Sequence, residues 1–114
     1  MSKQKQKGTS FETLVVRFLR DNGFQHAERR SLHGTADKGD ITGVPGVVFE
    51  CKNHKTLRLS EWMRETEVER VNADADIGVL VVKRHGVGDA AGQYAIVTLE
   101  DMCRLLVAFG YGTK

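Results

Sequence analysis

The chain has few of the features that mark secreted, disulfide-bonded or membrane proteins. Its two cysteines, Cys51 and Cys103, are too few for a disulfide framework and have no CxxC spacing, so we expect a reduced intracellular thiol pair. No apolar run approaches the roughly 18 residues that a bilayer crossing needs. The opening residues, MSKQKQKGT, lack the apolar core of a signal peptide. These absences predict a cytoplasmic protein with no membrane partner.

Charge is nearly balanced in total but unevenly distributed along the chain. The 114 residues amount to 12.7 kDa, enough for one domain with a modest core. The formal net charge is +2, yet residues 1–38 carry a net charge of +4 and residues 59–76 a net charge of −4. A basic end of this kind can meet a polyanion such as DNA, although a solvated lysine tail and a solvated acidic helix explain the same pattern.

Apolar periodicity and turn signals predict a flexible basic N-terminal arm, residues 1–8, followed by a single domain, residues 9–114. The arm alternates lysine with glutamine and contains no apolar anchor. The predicted elements of the domain are a helix at 9–22, strands at 24–30, 40–43 and 47–53, a helix at 60–73, strands at 77–83 and 94–99, and a helix at 99–109. This order predicts a small mixed sheet flanked by helices.

The second and third predicted strands form a hairpin around the Pro-Gly dipeptide at 45–46, which suits a type II turn. Alternation in VVFECKN places Glu50 and Lys52 on one face of the third strand. With the turn centred on the dipeptide, Asp40 lies opposite Cys51, and a shift of one residue places it opposite Glu50. Either register brings two carboxylates and one ammonium into one patch.

This patch has the composition of a metal-dependent hydrolytic site. Clustered carboxylates repel one another unless a cation lies between them, and hard carboxylate oxygens suit Mg²⁺. A metal held in this way lowers the pKa of a bound water and stabilises negative charge on a phosphoryl group. The ammonium of Lys52 can orient or deprotonate that water or stabilise the developing charge. The patch therefore predicts metal-dependent phosphodiester hydrolysis.

Two plainer interpretations stay open at this point. A Glu50–Lys52 pair also occurs on the wet face of an ordinary surface hairpin, where it contributes about 0–1 kcal/mol. Glu12 is a fourth candidate for the site, but the segment 9–12, TSFE, also has the pattern of a capping box, in which the glutamate bonds back to the Thr9 amide.

In their order and spacing these motifs resemble the PD-(D/E)xK nuclease superfamily, and more closely the archaeal-type Holliday-junction resolvases and their small phage-encoded relatives. The pattern has four parts in order. A helix begins with Gly8-x-x-x-Glu12 and ends with RDNGF, and a basic strand and loop follow, with Arg29, Arg30, Ser31, Gly34 and Thr35. Next come the triplets Gly39-Asp40-Ile41 and Glu50-Cys51-Lys52, and then a helix followed by the strand IGVLVVK. The resemblance covers roughly residues 8–107, and the four parts together are far more specific than an ExK triplet alone.

The resemblance implies a fold and a role for each motif residue. The fold is mixed α/β (α+β), with a restriction-endonuclease-like αβββαβ core whose mixed central sheet is flanked by helices. By this likeness, Asp40, Glu50 and the Cys51 backbone carbonyl are direct metal ligands. Glu12 reaches in from the first helix as a further ligand or water holder, and Lys52 is the catalytic lysine.

Two positions are weaker parts of this likeness. Thr35 lies in the loop before Asp40, where some relatives place a catalytic serine. Gly39 stands where the family has the proline that names the motif, and that proline is structural and variable.

The likeness also implies an activity. We expect a Mg²⁺-dependent, structure-specific endodeoxyribonuclease with a role in recombination and repair, in which Mn²⁺ can substitute and no small-molecule cofactor takes part. Its substrate would be branched DNA, in which it makes paired symmetric nicks at four-way junctions.

Contacts to DNA would come from Arg29, Arg30, Lys38, Lys55 and Arg58, with Lys3, Lys5 and Lys7 of the arm reaching phosphate. The acidic helix is expected to face away from DNA, apart from Glu61 and Glu65, which could orient Lys52 or the metal.

A homodimer is the implied assembly, because a four-way junction has two-fold symmetry and is cut on two strands. The dimer surface would use either Trp62 and Met63 or a C-terminal group consisting of Leu105, Leu106, Phe109 and Tyr111. Trp62 can equally fill the core.

Three rival functions stay open. A restriction-like or repair endonuclease acting on other DNA structures would use the same metal patch. A non-catalytic DNA-binding module of the same fold would not need Asp40, Glu50 and Lys52 together. A nuclease that binds metal through His33, His54 or His85 is disfavoured because their spacing fits no helix or hairpin. In each case we expect an intracellular protein, and the resemblance to phage-encoded relatives implies a phage gene expressed in a bacterial host.

Overall fold

The fold is built on one mixed sheet whose two faces are covered by different helices. The computed structural model describes residues 3–30 and 37–113. In chain order its elements are α1 (Lys3–Asp21), β1 (Glu28–Arg29), β2 (Ile41–Thr42), β3 (Val47–Lys52), α2 (Leu59–Asn72), β4 (Ile77–Val82), a 3₁₀ turn (Ala90–Gly92), β5 (Tyr94–Ile96) and α3 (Leu99–Ala108). The mixed α/β fold and the element order expected from the sequence are confirmed. Among these described residues, no helix combines the length and apolar character needed to cross a membrane.

The strands lie in the order β1-β2-β3-β4-β5. The first three are antiparallel neighbours, β4 runs parallel to β3 after the α2 crossover, and β5 pairs antiparallel with β4. The position of β4 between two strands explains why IGVLVVK is almost continuously apolar, since such a strand is covered on both faces.

Alternation along β3 gives the sheet one apolar cluster on each face. The cluster under α1 contains Phe11, Val15, Val16, Ala27, Ile41, Val44 and Val81, and Phe49 and Cys51 pack against it. The cluster under α2 contains Trp62, Leu80 and Val82. Glu50 and Lys52 alternate with Phe49 and Cys51, so they face α2, as the period of two predicts.

The first helix begins at Lys3, earlier than the expected start at residue 9. The structure therefore differs from the expected flexible arm over Lys3–Gly8, which is helical instead. Lysine and glutamine are good helix formers, and a helix that is already anchored by packed turns extends readily through them. The lysines of the expected arm are thus carried on a helix.

Local signals account for several element ends. Val47 N donates to Val44 O at 3.1 Å around Gly46, whose φ is +83°, so the predicted type II turn is present. The Thr98 hydroxyl accepts from the Asp101 amide at 3.1 Å and caps α3, as predicted. The expected cap of α2 at Ser60 is wrong, because that helix already begins at Leu59. The first strand is shorter than expected, since residues 24–27 form a turn.

A glycine lets α2 lie close on the sheet. At Gly78 in β4, an added Cβ would lie 2.9 Å from Thr66 Cγ2, which is shorter than a real Cβ contact. Thr66 is buried in the middle of α2. This close approach brings the acidic side of α2 against Glu50 and Lys52 of β3.

Candidate active site

Asp40 and Glu50 meet across the β2–β3 hairpin. Ile41 pairs with Phe49, and Asp40, directly before β2, donates its amide to Phe49 O at 2.9 Å and so lies beside Glu50. At Ile41 the sheet thus has the register shifted by one residue that the sequence left open, and Asp40 itself precedes β2. Cys51 N donates to Asp40 Oδ2 at 2.8 Å, which fixes the carboxylate beside Glu50.

The backbone before Asp40 explains the departure from the family motif at Gly39. This glycine has a φ of +95°, and an added Cβ would lie 2.8 Å from Val48 Cγ1 and 3.0 Å from Phe49 O. Proline, whose φ is held near −65°, cannot adopt this conformation. A glycine is therefore required for this path of the chain into β2.

The Asp40–Glu50 pair is electrostatically strained. Burial and the adjacent charge of Glu50 raise the pKa of Asp40 to about 7, against the lowering effect of the Cys51 amide. Glu50 is only 7% exposed, and its Oε1 atom is buried without a hydrogen-bond partner among the described residues. Two carboxylates in this condition are favourable only as long as positive charge or a proton compensates them.

Lys52 supplies part of that charge as an ammonium. Its Nζ lies 3.3 Å from Glu50 Oε2 and 2.9 Å from Glu65 Oε2 of α2, and 5.9 Å from the centre of the Trp62 ring. Burial alone would lower the pKa of Lys52, but the hydrogen bond to Glu65 and the charge of Glu50 outweigh it and raise the pKa. Glu65 thus contacts Lys52, and the orienting role expected of Glu65 stays a prediction.

Glu12 lies beside this group but is engaged by Arg29, whose Nε is 3.0 Å from Glu12 Oε1. Burial and the charge of Asp40 raise the pKa of Glu12, whereas Arg29 lowers it. The capping-box interpretation of Glu12 is wrong, because Thr9 lies inside α1 and not at its N-terminus. The structure thus brings Asp40, Glu50 and Lys52 together, whereas Glu12 projects from α1 and forms an ion pair with Arg29.

Cys51 can contribute a carbonyl more readily than a thiolate. Burial raises the pKa of its thiol, and the charges of Asp40 and Glu12 raise it further, so the sulfur stays protonated at neutral pH. Cys51 and Cys103 are both free cysteines, as expected.

Glu69 of α2 is a member of the site that sequence reasoning missed. It is 1% exposed, and burial together with the charges of Glu50 and Asp37 raises the pKa of Glu69 far above its usual range. The available signal was helical spacing: Trp62, Thr66 and Glu69 lie at i, i+4 and i+7, which puts a glutamate on the buried stripe of α2.

The residues expected to contact DNA are not all equally available. Lys38, Lys55 and Arg58 are exposed, and Arg29 is half-exposed in its pair with Glu12. Arg30 is half-buried in a cleft beside the 43–46 turn, and its Nε is buried and unpaired within the described ranges. Thr35 lies outside the described residues, and nothing further follows for it.

Histidine does not build the site within the part of the chain that is described. His54 packs on Trp62 with ring centres 5.1 Å apart, and burial, Lys52 and Lys7 all lower the pKa of His54. His33 falls outside the described residues. Nowhere in the described ranges do three acidic, histidine or cysteine side chains form a ready-made metal cage.

Comparison with known proteins adds no relative. No family model matches the chain, and no curated protein or solved structure matches it. The nuclease interpretation therefore depends on the motif residues and on their arrangement.

Proposed function

We propose that this protein is a Mg²⁺-dependent, structure-specific DNA endonuclease, and specifically a Holliday-junction resolvase that nicks four-way junctions symmetrically. One observation carries the proposal: Asp40, directly before β2, lies together with Glu50 and Lys52 of β3, with Lys52 Nζ 3.3 Å from Glu50 Oε2 and Asp40 held by the Cys51 amide. A surface hairpin has no need to bury two carboxylates and an ammonium in this way.

The donor set fits a hard divalent cation. Asp40, Glu50 and the Cys51 carbonyl would hold it, and the buried, unpaired Oε1 of Glu50 is the atom that most needs one within the described site. Mg²⁺ often binds through one or two carboxylates and completes its shell with water and substrate phosphate, so a full cage of side chains is not required. When bound, Mg²⁺ or Mn²⁺ would supply positive charge for the scissile phosphate and an acidified water.

Lys52 acts as a fixed positive charge in this proposal. Since its two carboxylate partners hold the proton on Nζ, Lys52 does not serve as a general base. Its ammonium instead stabilises negative charge that develops on the phosphoryl group and orients the attacking water. Glu65 is a positioning residue that keeps this ammonium beside Glu50.

Arginine and lysine side chains around the site would bind the DNA backbone. Lys38 precedes Asp40 by two residues, and Lys55 and Arg58 follow β3 in the loop to α2. Arg29 is tied to Glu12, and a phosphate could take over this guanidinium and release the carboxylate for the cation or its water. Such contacts position the strand but carry little sequence information, so branched DNA would be recognised by shape.

A second copy of the chain would provide the second active site that a junction requires. Trp62 is 2% exposed and packs in the core, so a dimer surface at Trp62 is disfavoured. The C-terminal alternative is favoured, because α3 and the residues after it leave a group of large apolar side chains in the open: Leu99, Met102, Leu105, Leu106, Val107, Phe109 and Tyr111. An apolar face of this kind is typical of an interaction surface.

A cleavage assay on a synthetic four-way junction tests the proposal. Reactions with Mg²⁺ should yield paired nicks placed symmetrically about the crossover, and EDTA should abolish them. Flap and linear duplex substrates run in parallel should be cut much more slowly. Preferential cutting of a flap or a duplex would instead favour the repair or restriction-like alternative. Binding without cutting in Mg²⁺ or Mn²⁺ would favour a DNA-binding module.

A nuclease that acts on junctions of this kind would work inside the cell, where DNA recombines.

A further inference from the structure

Tyr94 is a large aromatic side chain on the same face of the sheet as Lys52, and it is open to solvent. Lys52 pairs with Val82, and Val82 pairs with Tyr94, so the three residues form one row across β3, β4 and β5. Val82 packs in the cluster under α2, and residues opposite one another on neighbouring strands project to the same face. Tyr94 is 55% exposed. An exposed aromatic ring thus lies two strands away from Lys52.

Arg84 lies over the ring of Tyr94, with its guanidinium carbon 4.7 Å from the ring centre. Its Nη1 atom donates to Gly92 O at 2.9 Å, which fixes the guanidinium in this position. Within the described part of the chain, no carboxylate forms an ion pair with Arg84. A planar cation on an aromatic ring makes a flat surface, and nucleobases stack on surfaces of this kind.

The loop between β4 and β5 is closed by other side chains. Lys83 Nζ donates to Arg84 O and to Val87 O, each at 2.6 Å. Gln93 Nε2 donates to Val87 O at 2.9 Å. These hydrogen bonds use neither the Tyr94 ring nor the Arg84 guanidinium, so closure of the loop does not account for the stacked pair.

The Arg84–Tyr94 pair and Lys52 lie at the same end of the sheet. Lys83 N donates to Lys52 O at 2.9 Å, and Arg84 is the next residue. From Lys52 to Tyr94 the row crosses two strand spacings, about 10 Å, which is the rise of roughly three stacked nucleotides. The segments 52–58 and 83–85 contain five lysine or arginine residues and no acidic residue. This distribution of charge suits a polyanion that passes from Lys52 to the stacked pair.

We propose that the Arg84–Tyr94 pair stacks one base of the DNA strand that is bound at Lys52, within about three nucleotides of the scissile phosphate. Only the ligand, DNA, rests on the proposed function, because the stacked pair and its row in the sheet are structural features of the chain. A base must leave its own stack to bind there, and this costs least where the base is unpaired or mismatched. The pair would therefore favour branched DNA over continuous duplex.

A scan with abasic nucleotides in a labelled four-way junction tests this inference in EDTA, which prevents cleavage. Affinity is measured by fluorescence anisotropy while one abasic nucleotide is moved stepwise along a strand through the crossover. Tyr94→Leu should weaken binding of the intact junction roughly 5- to 20-fold, because stacking of one base is lost. At one position the abasic junction should show the same loss with the wild type, and Tyr94→Leu should add nothing further there. Losses that add at every position overturn the proposal.

Matched substitutions separate stacking from an effect on the fold. Tyr94→Phe keeps the ring and should bind as the wild type does, whereas Arg84→Gln should weaken binding through the same base. Phe24→Leu removes another exposed aromatic side chain, in the turn after α1, and should leave affinity unchanged. Circular dichroism checks that each variant is folded. Weak binding by Tyr94→Phe, or an equal loss in Phe24→Leu, would contradict a stacking role.

The outcomes for this inference and for the nuclease function are distinct. Coupling between Tyr94 and one base in a protein that cuts no DNA would refute the nuclease function and leave the stacking role standing. Mg²⁺-dependent cutting without such coupling would leave the nuclease function standing and overturn the stacking role. A chain that binds no junction, in EDTA or in Mg²⁺, overturns both.

Discussion

Glu65 of α2 binds Lys52 of β3 more closely than Glu50 does: its Oε2 atom lies 2.9 Å from Nζ, against 3.3 Å for Glu50 Oε2. The lysine of the motif is thus held by a carboxylate that is not part of the motif. Because both ion pairs favour the charged form, they keep Lys52 as an ammonium.

Replacing Glu65 by glutamine should therefore impair cleavage through Lys52. We expect a rate loss on the order of 3- to 10-fold at neutral pH, since the substitution removes one of the two ion pairs that hold the Lys52 ammonium. The alkaline limb of the pH–rate profile should move to lower pH, because the pKa of Lys52 falls. Glu67→Gln, which breaks an exposed pair with Arg70 on the same helix, is the control. Identical pH profiles for Glu65→Gln and the wild type would contradict this role.

Asp40→Asn should abolish Mg²⁺-dependent cutting and leave junction binding largely intact. The substitution removes a carboxylate ligand but keeps a side-chain oxygen that can accept from Cys51 N. Cleavage and gel-shift assays on the same junction measure the two effects. Asp21→Asn, at the exposed end of α1, should change neither. Cutting by Asp40→Asn at the wild-type rate would mean that the site is assigned incorrectly.

The metal-free protein should lose stability as the pH rises. The pKa values of Asp40, about 7, and of Glu69 are raised in the folded state, so the fold binds protons that the unfolded chain has already released. This contribution is fully present below the unfolded pKa of about 4 and is lost as the pH rises through the folded pKa. Urea unfolding in EDTA between pH 4 and 8 should show a decline on the order of 1–3 kcal/mol from Asp40.

Two comparisons isolate that effect from other titrating groups. The decline should be smaller in Asp40→Asn, and Mg²⁺ should restore stability to the wild type at pH 8. Equal pH dependence in both proteins would show that Asp40 is not strained in the fold.

Gly39→Ala should destabilise the protein by about 1–3 kcal/mol, because it places a Cβ at a φ of +95° and against Val48 and Phe49 O. Gly8→Ala is the matched control, since an added Cβ there meets nothing within 4 Å and the position lies inside α1. It should gain up to about 1 kcal/mol from helix propensity. Urea unfolding measures both, and equal effects of the two substitutions would contradict the strained path before Asp40.

Leu106→Glu should convert a dimer into a monomer. It places a charge in the exposed apolar group on α3, where Leu106 is 42% exposed. Light scattering coupled to size exclusion gives the mass, and Val71→Glu, an exposed position on α2, should remain dimeric. A dimer that persists in Leu106→Glu would mean that the dimer surface lies elsewhere. A monomeric wild type would mean that the chain forms no dimer.

Local patterns alone determined much of the fold. The order of the elements, the Pro-Gly turn, the Thr98 cap and the common face of Glu50 and Lys52 follow from periods of 2 and 3.6 and from turn chemistry. These features depend on neighbours in the sequence, so the sequence determines them without knowledge of distant contacts.

Contacts between distant segments decided the rest of the site. The pairing of Ile41 with Phe49 and the hydrogen bond from Asp40 N to Phe49 O brought Asp40 beside Glu50. The close approach of Thr66 to Gly78 brought Glu65 and Glu69 down onto β3. An acidic helix can equally face solvent, and only its packing against the sheet decides which of its carboxylates are buried beside other charges. For that reason the motif residues were visible in the sequence, while Glu69 and the strain that it adds became visible only in the folded chain.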